Sequence, residues 1–210
     1  MSVAWHHNWP FRDRPHAIAY EDAYCARHYA AGRARKVTIV TDADWQLEDW
    51  LEREGAARLR ENPSDSRAIR SIYLWKVGAN IRTSDQQLSV PDELLSPSFA
   101  DGLDSLLRST SADDLIASTR RLTGFPGVRV RVASAFAFWL RPNDFQLIDE
   151  RSTAALGLAF TDSDYSPENY VRWCTLAQTL SADYALSLRQ IDRALFAYHK
   201  LLLDGILLDA

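Results

Sequence analysis

Helix starts are spelled out at regular intervals along the second half of this chain. Ser96 is followed by Pro97, Ser166 by Pro167, and Ser111 and Ser187 have Asp114 and Gln190 three positions on. A serine oxygen accepts a bond from a free first-turn N–H, a proline there gives up an N–H that has no partner anyway, and an Asp or Gln at the third position can return the bond. These signals predict helices from Ser96 to Arg108, from Ser111 to Leu122, and onward from Ser166 and Ser187. In the last of them Leu188, Ile191, Leu195, Tyr198 and Leu202 form one apolar stripe, and Gly205 ends it. Upstream, Thr41 with Asp44 predicts a helix to about Glu61, and Ser66 opens one that runs to Val77 and stops at Gly78. A first helix is expected from Ala19 to Ala31. Val130 to Leu140 is nearly all apolar and is stopped by Pro142. Val37 to Val40 is the strand-like stretch, as a strand or an extended arm, and the polar stretch Ala79 to Ser89 reads as a mobile loop. The fold class is all-α, one helical domain over residues 1–210, with 1–40 forming an N-terminal arm and the first helix.

Hydrophobic residues make up 47% of the chain, enough for one packed core and too many for a disordered segment. No run reaches the length of a membrane span, and residues 1–10 lack the charged-then-apolar order of a signal peptide, so a cytoplasmic protein is expected. Two cysteines, Cys25 and Cys174, cannot supply a disulfide framework or a four-cysteine iron–sulfur site. The net charge of −4 does not favour nonspecific nucleic-acid binding, but its distribution is uneven. Between Leu115 and Asn143 stand five arginines, Arg120, Arg121, Arg129, Arg131 and Arg141, and no acidic residue.

Those arginines surround the segment 122–135, LTGFPGVRVRVASA, where Gly124, Pro126 and Gly127 make a tight hairpin between two helices spanning 111–140. The helix after such a hairpin begins with backbone N–H groups that have no intrahelical partner, at the positive end of the helix dipole. That is a place for a phosphate oxygen, and Arg129 and Arg131 add charge to it. A hairpin of this kind grips a DNA backbone without reading its sequence. Taken without its surroundings, it reads more readily as an ordinary turn that the glycines permit, since Gly-rich helical turns are common.

The segment after the hairpin narrows the choice. The second helix leads through Arg141 and Pro142 to Leu147–Ile148–Asp149, and then to Leu156–Gly157. From Leu115 to Gly157 the sequence resembles the helix–hairpin–helix superfamily of DNA glycosylases, which contains endonuclease III, the adenine glycosylases and the 8-oxoguanine glycosylases. The interval from Gly127 to Asp149 is close to the spacing of that family. The resemblance implies an enzyme that binds duplex DNA carrying a modified or mispaired base and hydrolyses its N-glycosidic bond, with no cofactor. Asp149 would be the catalytic carboxylate, and Gly124, Gly127, Arg129, Arg131 and Arg151 would contact DNA. A carboxylate suits this chemistry because positive charge develops on the deoxyribose as the base departs. Asp149 is also well placed simply to cap a helix.

The chain departs from the family at two places. Arg129 stands where a second hairpin glycine is usual, and Arg131 stands where bifunctional members keep an imine-forming lysine. An arginine stays protonated and cannot be that nucleophile, so the resemblance implies a monofunctional enzyme using water. Lys76, in Tyr73–Leu74–Trp75–Lys76, is a lysine that another helix can supply. The alternative is a non-catalytic DNA-binding or interaction protein of the same fold.

Elsewhere, Glu21, Cys25 and His28 would share one helix face at a spacing that suits zinc, although such spacings also arise by chance and no metal is expected. His6 and His7 lie among Trp5, Trp9 and Phe11 in an aromatic arm. Phe138 and Trp139 end the helix after the hairpin, as core or as pocket lining. Phosphate-binding loops, dinucleotide fingerprints and nucleophile elbows are all missing from the sequence.

Overall fold

The computed structural model describes residues 9–31, 35–81 and 89–208. The first helix, α1 (Arg14–Cys25), starts earlier than the sequence suggests. Asp13 caps it through the His16 N–H, and Pro15 sits in its first turn. It also ends earlier. Arg27 turns into the left-handed region at φ 63°, and the chain leaves as a strand, β1 (His28–Ala31), paired antiparallel with β2 (Arg35–Thr38). The expected helix to Ala31 is thus replaced in its last turn by a hairpin whose second arm carries Val37, buried in the core.

Thr41 caps α2 (Asp42–Trp50) as expected, accepting from the Asp44 N–H. A π turn over Leu51–Gly55 then interrupts the helix before α3 (Ala56–Glu61). Gly55 sits where a Cβ would come within 2.4 Å of the Trp50 ring, so the indole fills the space a side chain would need. Next comes α4 (Ser66–Ile81), which runs through Gly78 instead of stopping there. Gly78 is buried, so packing overrides its weak helix propensity. The polar loop expected over 79–89 is thus helical as far as Ile81, and residues 82–88 lie outside the described residues, as do His6, His7 and Trp5 of the aromatic arm.

The serine-headed starts hold their places. They open α5 (Pro97–Arg108), α6 (Ala112–Thr123), α9 (Pro167–Tyr184) and α10 (Leu188–Leu203). At Ser111 and Ser187 both reciprocal capping bonds form. Between α6 and α9 lie α7 (Val130–Leu140) and the short α8 (Glu150–Ala155). Every residue of α7 except Arg131 is buried, which is where a helix apolar on all sides must go. It runs through the middle of the bundle against α3, α4, α5, α6 and α9. The long α10 lies along α1 and crosses α8. The two ends of the described chain meet there: the Leu208 N–H donates to the Tyr20 hydroxyl at 2.9 Å, and His16 Nε2 lies 3.0 Å from the Leu208 carbonyl.

The first half of α10 closes on a buried cluster of charges. Glu48 of α2 is 1% exposed, and its carboxylate accepts from Tyr24 at 2.7 Å, Trp75 at 3.3 Å and Arg193 at 3.0 Å, besides pairing with Arg189. Arg189 is shared with Glu52 at 3.1 Å and Asp192 at 2.8 Å, and its guanidinium lies over Phe138 and Trp139. Burial works against the charged form of Glu48, but Arg189 and Arg193 outweigh it and hold the carboxyl below its ordinary value. Asp192 fares differently. Burial pushes it up to about 7, against the pull of Arg189, with the negative charge of Asp149 adding to the rise.

This unequal sharing separates two variants. Glu48→Gln leaves two buried arginines short of a counter-charge and should lower stability by about 3–5 kcal/mol, read from denaturant unfolding. Asp192→Asn should behave in the opposite way. A carboxyl with a raised folded pKa binds protons on folding, so its contribution favours the folded state at low pH and fades as pH rises through about 7. The variant should therefore melt no lower than wild type at pH 8, and its difference from wild type should close as pH falls toward 5. A deficit for Asp192→Asn that grows with pH would show Asp192 to be a firmly charged partner of Arg189.

Candidate active site

Asp149 ends a loop, residues 141–149, that is fastened from several sides. Arg141 pairs with Asp144 at 2.8 Å, and Gln178 of α9 donates to the Asp144 carbonyl at 2.9 Å. Trp173 of α9 donates its indole N–H to the Leu147 carbonyl at 2.8 Å, and the Ile148 N–H donates to Ser134 Oγ of α7 at 3.2 Å. With Phe145, Leu147 and Ile148 buried, the loop cannot shift without breaking the core. Asp149 emerges from it as the N-cap of α8, its Oδ1 accepting from the Ser152 N–H at 2.9 Å and the Ser152 hydroxyl at 3.0 Å. The capping role expected from the sequence is thus real.

The second carboxylate oxygen is turned elsewhere. Oδ2 lies 3.3 Å from the Lys76 ammonium of α4, with the two side chains 16% and 10% exposed. The sequence offers Lys76 only as a lysine from another helix; the fold brings it to Asp149, one position after the Trp75 that reaches Glu48. Burial raises the Asp149 carboxyl, but Lys76 and the Ser152 bonds more than offset this and hold it below its ordinary value. The result is a fixed negative charge on a rigid support, with a primary amine beside it.

The hairpin residues lie close by. Gly124 caps α6, and Gly127 has the left-handed φ of +73° that the turn requires. A Cβ on Gly127 would stand 2.7 Å from the Tyr73 hydroxyl, so this glycine is held close against α4. Arg129 is the N-cap of α7 and uses no side chain to cap it, leaving the first-turn N–H groups of α7 without that kind of partner. Arg129 and Arg131 each lie 3.8 Å from Asp162, an acidic residue on the turn before α9 that no sequence pattern connects with them. The Arg131 guanidinium also lies 4.9 Å over the Tyr165 ring. Together Val128, Arg129, Arg131, Asp162, Tyr165 and Pro167 line an open cleft of about 430 Å³. The Tyr165 hydroxyl is 3.4 Å from Thr153 of α8, which joins the cleft to the helix that Asp149 heads.

Arg151 sits two positions beyond Asp149 in α8, with its guanidinium 5.1 Å over Phe196 of α10. Among the described residues the ion pair of Asp149 is with Lys76, and Arg151 does not share it. The zinc spacing does not survive folding: Glu21 and Cys25 share α1 with the thiol 3.7 Å from the carboxylate, but His28 belongs to β1. Among the described residues no group of His, Cys, Asp and Glu is placed to hold a metal ion, and no helix is long and apolar enough to cross a membrane. Phe138 and Trp139 are core, packed under Arg189. Compared with models of protein families, with curated proteins and with solved structures, the chain has no match.

The Lys76 contact changes what the near-isosteric Asp149→Asn should do to stability. An Asn keeps the capping acceptor but leaves a mostly buried ammonium without its counter-charge, so the variant should lose about 2–4 kcal/mol rather than a few tenths. Asp149→Asn combined with Lys76→Met removes both charges and should recover most of that loss. A double-variant melting temperature no higher than that of Asp149→Asn would show that the pair contributes nothing beyond the cap.

Proposed function

We propose that this protein is a DNA N-glycosylase of the helix–hairpin–helix kind, acting on a modified or mispaired base with Asp149 as its carboxylate. One observation carries the reading: the carboxylate is anchored through Oδ1 by Ser152, kept charged, and has its Oδ2 beside the amine of Lys76. Support comes from its setting, since the hairpin from α6 to α7 and the Arg131–Tyr165 cleft adjoin the helix that Asp149 heads. As the bond from the anomeric carbon to the base nitrogen breaks, the electron pair leaves with the base and the sugar gains positive charge. A carboxylate held in place stabilises that charge at no cost of reorientation, and a water adds to the carbon while its proton passes to solvent or base.

The nearness of Lys76 favours a second route at the same carboxylate. In that route the Lys76 ammonium first gives a proton to solvent, and its nitrogen then adds to the anomeric carbon as the bond to the base breaks, a second proton passing to the departing base. Opening of the sugar's bond from the anomeric carbon to the ring oxygen, with protonation of that oxygen, leaves an imine that borohydride reduces to a stable cross-link. The two routes differ in that one observable.

The deciding measurement is base release from duplexes carrying a panel of damaged or mismatched bases. Wild type should release at least one base, and Asp149→Asn combined with Lys76→Met should lower the rate by at least about a hundredfold while the protein stays folded. Because the carboxyl is held low, the rate should show no acid fall above about pH 4. Borohydride trapping with wild type but not with Lys76→Met selects the amine route. Full activity in the charge-free double variant would refute the proposal, and duplex binding without release of any base would leave a non-catalytic DNA-binding protein.

The hairpin gives a separate outcome. Arg129→Glu with Arg131→Glu should weaken duplex binding and flatten its dependence on salt. Unchanged affinity across a salt series would mean that these arginines serve only Asp162 and Tyr165.

A further inference from the structure

We infer that the seam between α8 and α10 is a second phosphodiester site, in which Arg151, His199 and Lys200 hold a backbone phosphate of the strand presented to Asp149. This rests on the DNA glycosylase proposal and extends it to His199 and Lys200, which neither the hairpin nor the family resemblance includes.

Phe196, His199 and Lys200 stand at i, i+3 and i+4 on α10 and so are neighbours on one face. The helix α8 packs across α10, and Arg151 is set on the Phe196 ring at 5.1 Å. Arg151 is thereby brought to the face of α10 that carries His199 and Lys200, and all three basic side chains are only partly exposed. His199 Nδ1 is buried and has no hydrogen-bond partner among the described residues. Burial first, and the charge of Arg151 second, press both His199 and Lys200 below their ordinary values. The acidic groups that bear on them are Asp149 and Glu150 on His199 and Asp204 on Lys200. Of these, Asp149 is already paired with Lys76.

The C-terminal end of α10 attracts cations through its dipole, which explains a His and a Lys in its last turns. It does not explain Arg151. That residue lies in the first turn of α8, where the dipole disfavours a positive charge, and its charge bears on both His199 and Lys200. A half-buried anion relieves all three at once. A phosphodiester fits, because its two free oxygens accept from the Arg fork, an imidazolium N–H and an ammonium together. Arg151 shares α8 with Thr153, which meets the Tyr165 that lies under Arg131, so successive phosphates of a strand serve both positive groups where a single free ion serves one.

The test uses the full chain, a fluorescent duplex carrying a tetrahydrofuran abasic analogue, and a salt series read by anisotropy. Arg151→Gln with Lys200→Gln should weaken binding about tenfold and reduce the slope of log K against log salt by about 0.9, one phosphate's worth. Relief of like charge predicts a melting temperature no lower than wild type, which guards against misfolding. Lys200→Gln alone should give part of the affinity loss. In parallel, NMR titration of the His199 ring should show its pKa rising on addition of the duplex in wild type, and inorganic phosphate serves as the second arm. Duplex binding with an unchanged slope in the double variant overturns the seam and leaves the glycosylase reading standing. A seam-dependent slope with no base released from any substrate supports the seam and removes only the catalytic reading. Absence of duplex binding by wild type overturns both, and a His199 shift with inorganic phosphate in that case would make the seam a site for a free phosphate.

Discussion

The buried carboxylate of Glu48 is the contact on which the rest of this structure depends. It gathers Tyr24 from α1, Trp75 from α4, and Arg189 and Arg193 from α10 onto one side chain of α2. Four helices from both ends of the chain are thereby fixed relative to one another. Each donor needs this acceptor, because an arginine or an indole N–H taken out of water without a partner is costly. The same cluster sets the position of the site. Trp75 is held by Glu48 and its neighbour Lys76 by Asp149, so one turn of α4 couples the structural carboxylate to the one proposed to be catalytic. Asp192 is acted on by both, and the charges of Asp149 and Glu48 add to burial in keeping its proton on.

The order of the helices can be read from the chain wherever a local signal decides the matter. Ser96, Ser111, Ser166 and Ser187 cap where they should because capping is settled within four residues. Local signals mislead where distant packing intervenes. Gly78 continues a helix because it is buried within the bundle, and the break at Leu51–Gly55 depends on where the Trp50 ring lies. At the first helix the fault is different: Asp13 and Pro15 make a start signal as clear as the others, and the expected start at Ala19 ignores it.

The site is legible in a similar way, in its centre but not in its surroundings. Asp149 is marked by the hairpin before it and by the capped helix after it. Its partner cannot be deduced, since Lys76 is separated from it by 73 positions and joins it only through the packing of α4 against α7. Asp162, which meets the hairpin arginines, carries no pattern of its own. His199 and Lys200 belong in the sequence to an amphipathic helix, and what sets them apart, the placement of Arg151 on Phe196 and the buried His199 Nδ1, appears only on folding.

The junction of the two chain ends has a consequence for how the molecule is made. Phe11, just before α1, and Tyr20 within it pack on Tyr198 of α10, and Tyr20 holds the backbone at Leu208. During synthesis α1 leaves the ribosome well before α10, its partner, is translated. Contacts between residues so far apart in sequence form late and slowly. Through most of translation the nascent chain therefore carries an aromatic surface that only its last helix can cover.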